Sequence, residues 1–110
     1  MSDIYQLKRH DTWPPLRATL LQADGRPINL TGATATLRAA SLSVTPVKLL
    51  SYQMTIVDAV AGVVDVSLSP DDTAMVAIYR AEIEVVFADG GRVTVPNDKY
   101  FTISIVRDLG

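Results

Sequence analysis

Hydrophobic and polar residues alternate with a period of two along much of this chain. In the run from Tyr79 to Phe87, Tyr79, Ala81, Ile83, Val85 and Phe87 share one parity, and Arg80, Glu82 and Glu84 share the other. A strand points successive side chains to opposite faces, so this run predicts a strand with one face in a core and one in water. Phe101, Ile103 and Ile105 alternate in the same way with Thr102 and Ser104, and Ala35, Leu37 and Ala39 with Thr34, Thr36 and Arg38. Val64, Val66 and Leu68 do so with Asp65 and Ser67. The segments are rich in β-branched and aromatic residues, which suit a pleated, half-buried surface.

Turn signals separate these segments: Asp24-Gly25, Thr31-Gly32, Ala61-Gly62 and Asp89-Gly90-Gly91. Glycine supplies the positive φ of tight turns without a steric penalty, and Gly25 and Gly32 are expected in that conformation. The spacing predicts an all-β fold, an antiparallel sandwich or barrel of about eight strands in one domain spanning 1–110. The strands are expected near 4–9, 16–22, 33–40, 47–50, 52–58, 62–68, 77–88 and 91–107, the last divided at Pro96, which cannot donate to a ladder. One short helical turn is expected near 70–75. There Ser69 is placed as N-cap, Pro70 as first helical residue and Asp71-Asp72 in the first turn, facing the positive end of the peptide dipoles.

Composition narrows the function classes. Ten Lys+Arg against twelve Asp+Glu leave a formal net charge of -2, with no basic excess for nucleic acid, so no nucleic-acid partner is expected. No apolar run approaches the length that spans a bilayer and no secretory signal follows Met1, so no membrane partner is expected and synthesis in a cytosol is. With no cysteine, stability has to come from packing and the hydrogen-bonded ladder.

The segment His10-Asp11-Thr12-Trp13-Pro14-Pro15 is the densest in chemically suggestive residues. An imidazole oriented by a carboxylate can activate a hydroxyl, but neighbours on an extended chain point to opposite faces, and the chain has one histidine. The two prolines stiffen the segment, which reads as the crossing from one sheet to the other, with the side chains of Asp11 and Thr12 accepting backbone N–H groups at the bend. Scattered carboxylates such as Asp24, Asp58 and Asp65 lack the alternating loop spacing calcium needs. No catalytic residue, cofactor or metal ligand is expected.

The order of the motifs carries a resemblance. Asp11-Thr12-x-Pro14-x-Leu16, then Gly25-x-Pro27-x-x-Leu30, then Thr31-Gly32-Ala33-Thr34 and a late Pro96 resemble the immunoglobulin-like N-terminal domain of the phage baseplate upper protein family. The likeness runs from about Ile4 to Leu109. His10 and Ala77 stand where that family usually has glycine. The run from Asp71 to Ala81 also resembles the approach to a tyrosine corner, with Tyr79 at the corner and Ala81 where antibody domains place their second cysteine.

The resemblance implies an antiparallel immunoglobulin-like β-sandwich and, as its role, a non-enzymatic structural module of a phage or prophage virion, in the tail or baseplate. Its expected partners are other phage structural proteins and further copies of itself. Trp13, Ile78 and Val86 are the candidate interface residues. Leu21, Val63 and Val106, like Ile78 and Val86, are apolar and out of phase with their strands. A capsid decoration protein fits the same residues. A further alternative is a module that binds host-surface glycans, with Trp13, or Tyr52 and Tyr100, as a stacking platform.

Overall fold

The computed structural model describes residues 4–42, 46–96 and 101–109. Among them nine strands follow in chain order: β1 (Ile4–Lys8), β2 (Leu16–Thr19), β3 (Thr34–Ser41), β4 (Leu49–Gln53), β5 (Thr55–Asp58), β6 (Val63–Val66), β7 (Ala77–Val86), β8 (Arg92–Val95) and β9 (Phe101–Val106). The expected strand 91–107 appears as β8 and β9, on either side of Pro96, and both lie beside β7. β8 pairs with its Ile83–Val86 end and β9 with its Ala77–Ala81 end.

Two sheets form. The larger has the order β1-β9-β7-β3-β4, with β8 also on β7, and the smaller has the order β2-β6-β5. Their inward residues share one core, in which Leu37, Tyr79, Ile83, Val85 and Ile103 of the larger sheet meet Leu16, Leu20, Val64 and Leu68. The parity read from the sequence is the one observed: Ala35, Leu37 and Ala39 are buried while Thr34 and Arg38 are exposed. β4 and β5 are separated only by Met54, whose amide donates to the Ala35 carbonyl at 2.8 Å. One continuous run therefore passes from the larger sheet to the smaller and forms an edge of each.

Three expectations are corrected. The sandwich is not wholly antiparallel: β1 runs parallel to β9, with Ile4 opposite Thr102 and Lys8 opposite Val106. The two strands come from opposite ends of the chain, so no hairpin imposes an antiparallel pairing. The second correction is the helical turn, since no helix exists among the described residues. Ser69 does open a turn, its carbonyl accepting from the amides of Asp72 at 3.1 Å and Thr73 at 3.2 Å. A single turn orders several residues for few hydrogen bonds, and here the Thr73 carbonyl is taken by the His10 amide at 2.9 Å, so the turn does not propagate.

The third correction concerns the bend at 9–15. That segment does cross from β1 in one sheet to β2 in the other, but main-chain groups close it. Asp11 N donates to the Lys8 carbonyl at 3.0 Å and His10 N to Thr73, and the side chains of Asp11 and Thr12 have no hydrogen bond among the described residues. Gly25 and Gly32 have the expected positive φ, 89° and 74°.

Candidate interface

The outward face of the larger sheet divides into a charged end and an apolar end. At the charged end Glu84 of β7 lies 3.6 Å from the guanidinium groups of both Arg38 and Arg92. These partly exposed ion pairs orient side chains more than they stabilise. Towards the start of β7 the face turns apolar. Leu49 is 74% exposed, Val47 60%, Leu42 52% and Ile78 46%, and the Leu42 amide donates to the Ile78 carbonyl at 2.9 Å. Leu42, Val47 and Leu49 line a shallow concavity of about 560 Å³ whose rim carries Arg38, Arg80 and Glu82. Full burial of one such side chain is worth about 1.5–3 kcal/mol, so covering four is an appreciable driving force for association, even after the cost of immobilising a partner.

The candidate residues do not converge. Ile78 belongs to the apolar end. Val86, half-buried between Thr34 and Arg92, lies eight residues further along the same strand, roughly 26 Å away at strand rise. Trp13 is on the crossing segment and is 78% exposed, so it is no part of the core. Leu42, Val47 and Leu49 were missed. Val47 and Leu49 fall in a short expected strand whose face could not be assigned without knowing its partner; Leu49 proves to pair with Ala40 on the outward side of β3.

Beneath β4 lies the most connected polar cluster. The Tyr52 phenol donates to Asp72, and the Ser69 amide donates to the Tyr52 oxygen at 3.0 Å. Ser69 Oγ lies 3.1 Å from Asp72 Oδ2, and Lys48 Nζ lies 3.3 Å from Asp72 Oδ1. Serine, lysine and tyrosine together are the raw material of a nucleophilic site, but the protons are in the wrong places. Burial, and then the hydrogen bond to Asp72, pushes the Tyr52 phenol above its ordinary value. Burial pushes the Asp72 carboxyl up, yet its bonds to Tyr52, Lys48 and Ser69 outweigh that and hold it low. The lysine faces the carboxylate, and the carboxylate that accepts from Ser69 Oγ is itself held low and so is a weak base toward the hydroxyl. The cluster straps the edge strand to the turn between β6 and β7. In the sequence Asp72 reads only as a helix start, because two of its partners, Tyr52 and Lys48, lie twenty or more residues earlier.

Tyr79 is fully buried, and its hydroxyl has no hydrogen-bond partner among the described residues. Among the described residues Tyr79 therefore does not make the bond back to the main chain that defines a tyrosine corner. Tyr52 ties the same turn from the neighbouring sheet edge. His10 and Asp11 share no hydrogen bond, and no group of acidic or histidine side chains among the described residues could hold a metal ion. Tyr100 lies outside the described residues. No described helix is long and apolar enough to cross a membrane.

In comparison with known proteins, the chain matches no family model and no curated protein sequence.

Proposed function

We propose that this protein is a non-enzymatic, immunoglobulin-like assembly module of a phage or prophage virion, acting in the tail or baseplate through contacts with other structural proteins and with its own copies. The strand order supports the immunoglobulin-like part. On this reading β3, β7 and β9 correspond to strands C, F and G, β4 to C′, and β2, β6 and β5 to B, E and D, and the observed orders β9-β7-β3-β4 and β2-β6-β5 agree with that correspondence.

The observation that carries the family reading is His10. It directly precedes Asp11-Thr12-x-Pro14, where the family usually has glycine, and its φ is 73°, the one positive φ of a non-glycine residue among those described. Left-handed backbone is where glycine is favoured, so a glycine-preferring position occupied by histidine explains the strain. The assembly reading is supported by the exposed apolar end of the larger sheet, which a free monomer has little reason to keep.

The test is made on the particle. Mass spectrometry of separated heads and tails should find the protein with the tails, and Ile78→Asp should fold in isolation yet fail to incorporate. Absence of the protein from purified particles, or full incorporation of Ile78→Asp, would overturn the reading.

One observation favours a second reading: Trp13 is well enough exposed to stack on a sugar. Quenching of its fluorescence by host glycans at millimolar or lower concentration would support glycan binding; an unchanged spectrum would remove it.

A further inference from the structure

We propose that β4 is a self-pairing edge, through which two copies of this chain join antiparallel across a two-fold axis at Ser51. The proposal deepens the assembly reading and rests on it. An edge strand presents unpaired N–H and C=O groups, and proteins usually protect it with charge, proline or irregular register. Among the described residues every other edge strand carries such a charge: Lys8 in β1, Arg17 in β2, Asp58 in β5 and Arg92 in β8. β5 is further protected by a register shift between Ile56 and Asp58. β4, with the sequence Leu-Leu-Ser-Tyr-Gln, contains neither charge nor proline, and its pairing with β3 has no shift. Lys48, just before it, is turned away to Asp72.

The ladder to β3 shows which groups are free. Ser41 N donates to Lys48 O at 2.9 Å and Met54 N to Ala35 O at 2.8 Å, so these are hydrogen-bonded pairs. By the alternation of an antiparallel ladder, the main-chain groups of Leu50 and Tyr52 also face β3, and those of Leu49, Ser51 and Gln53 face away from it. Among the described strands β4 pairs with β3 alone, so that side of it meets no other described strand. A second copy laid antiparallel with Ser51 opposite Ser51 sets Leu49 against Gln53 on both sides, forming about six main-chain hydrogen bonds. A strand pairs with itself only if its charges permit. The nearest charges on the outward face are the two Arg38 side chains, three strand spacings or roughly 14 Å apart, beyond the screening length at physiological salt. Each is already beside a Glu84 carboxylate.

Sedimentation equilibrium of the isolated protein should show a monomer–dimer equilibrium. Ser51→Pro removes only an amide that points away from β3, so it should preserve the melting midpoint at concentrations where the protein is monomeric and weaken dimerisation about 30-fold or more. Ser51→Lys, which puts two like charges on the axis, provides the same test should the proline variant fold poorly. The chain has no cysteine, and paired residues on the axis would have Cα atoms about 5.5 Å apart. Mild oxidation of Ser51→Cys should therefore give a disulfide-linked dimer faster than Gln53→Cys, which is off the axis. A monomer up to roughly millimolar concentration overturns the pairing. So does a dimer unaffected by Ser51→Pro and Ser51→Lys, which would lie on another surface, or equal cross-linking of the two cysteine variants. None of these results depends on the particle, so failure of the pairing is distinguishable from failure of the assembly reading, which is judged by incorporation.

Discussion

The phenol of Tyr52, on the edge strand β4, donates a hydrogen bond to Asp72, twenty residues later in the turn that leads to β7. The contact ties the outermost strand of one sheet to the connection between the sheets. Tyr79, the most deeply buried of the described tyrosines, makes no such bond to a described residue.

The two tyrosines should therefore respond oppositely to loss of the hydroxyl. Tyr52→Phe leaves Asp72 and the Ser69 amide short of a partner and should cost about 1–2 kcal/mol in denaturant unfolding. Tyr79→Phe removes a buried hydroxyl with no partner and should be neutral or stabilising. The reverse order would show that Tyr79 does close a corner.

Acid should release the same strap. The Asp72 carboxyl is held below its ordinary value of 3.8, so the folded state binds fewer protons than the unfolded chain. The stabilisation is complete above the unfolded value and is lost as pH falls through the lower, folded one. Asp72→Asn should melt below the wild type by a constant margin near neutrality, and that margin should shrink below roughly pH 4. A margin that persists unchanged in acid would rule out the carboxylate as its source.

Backbone geometry separates two glycines. Gly25 has a φ of 89° and open space where a Cβ would go, whereas at Gly62, φ 72°, a Cβ would lie 2.8 Å from the carbonyl oxygens of both Leu20 and Ile28. Gly25→Ala should cost only the left-handed strain, about 1 kcal/mol. Gly62→Ala should cost clearly more, since main chain must move in two places, and thermal unfolding of the two variants makes the comparison.

Histidine at a left-handed position gives a stabilising counterpart. His10→Gly should raise stability by up to about 1 kcal/mol, relief of strain being partly offset by the greater freedom of the unfolded chain. Destabilisation by a comparable amount would mean that the imidazole makes a contact worth more than the strain.

Burial sets the remaining contrast. Leu37 is fully buried in β3, and Leu37→Ala should cost about 2–5 kcal/mol. Trp13→Ala, at a site 78% exposed, should change stability by no more than about 0.5 kcal/mol, so any loss of assembly in that variant would report on an interface.

What the amino-acid sequence determined by itself is the class of fold, the parity of its strands and most of its turns. Alternation at Tyr79–Val85 and Ala35–Ala39 is a local property, because the pleat assigns each side chain to a face without reference to any partner. Positive φ at Gly25 and Gly32 is likewise local chemistry. Pairing was decided only in the tertiary structure. That β1 lies parallel to β9, that Tyr52 reaches Asp72, and that Leu49 joins Leu42 and Ile78 on an open face all depend on register between distant segments. The neutral composition of β4 was visible throughout, but it acquired meaning only when β4 proved to be an edge, since the same five residues between two neighbours would have no free main-chain groups to offer.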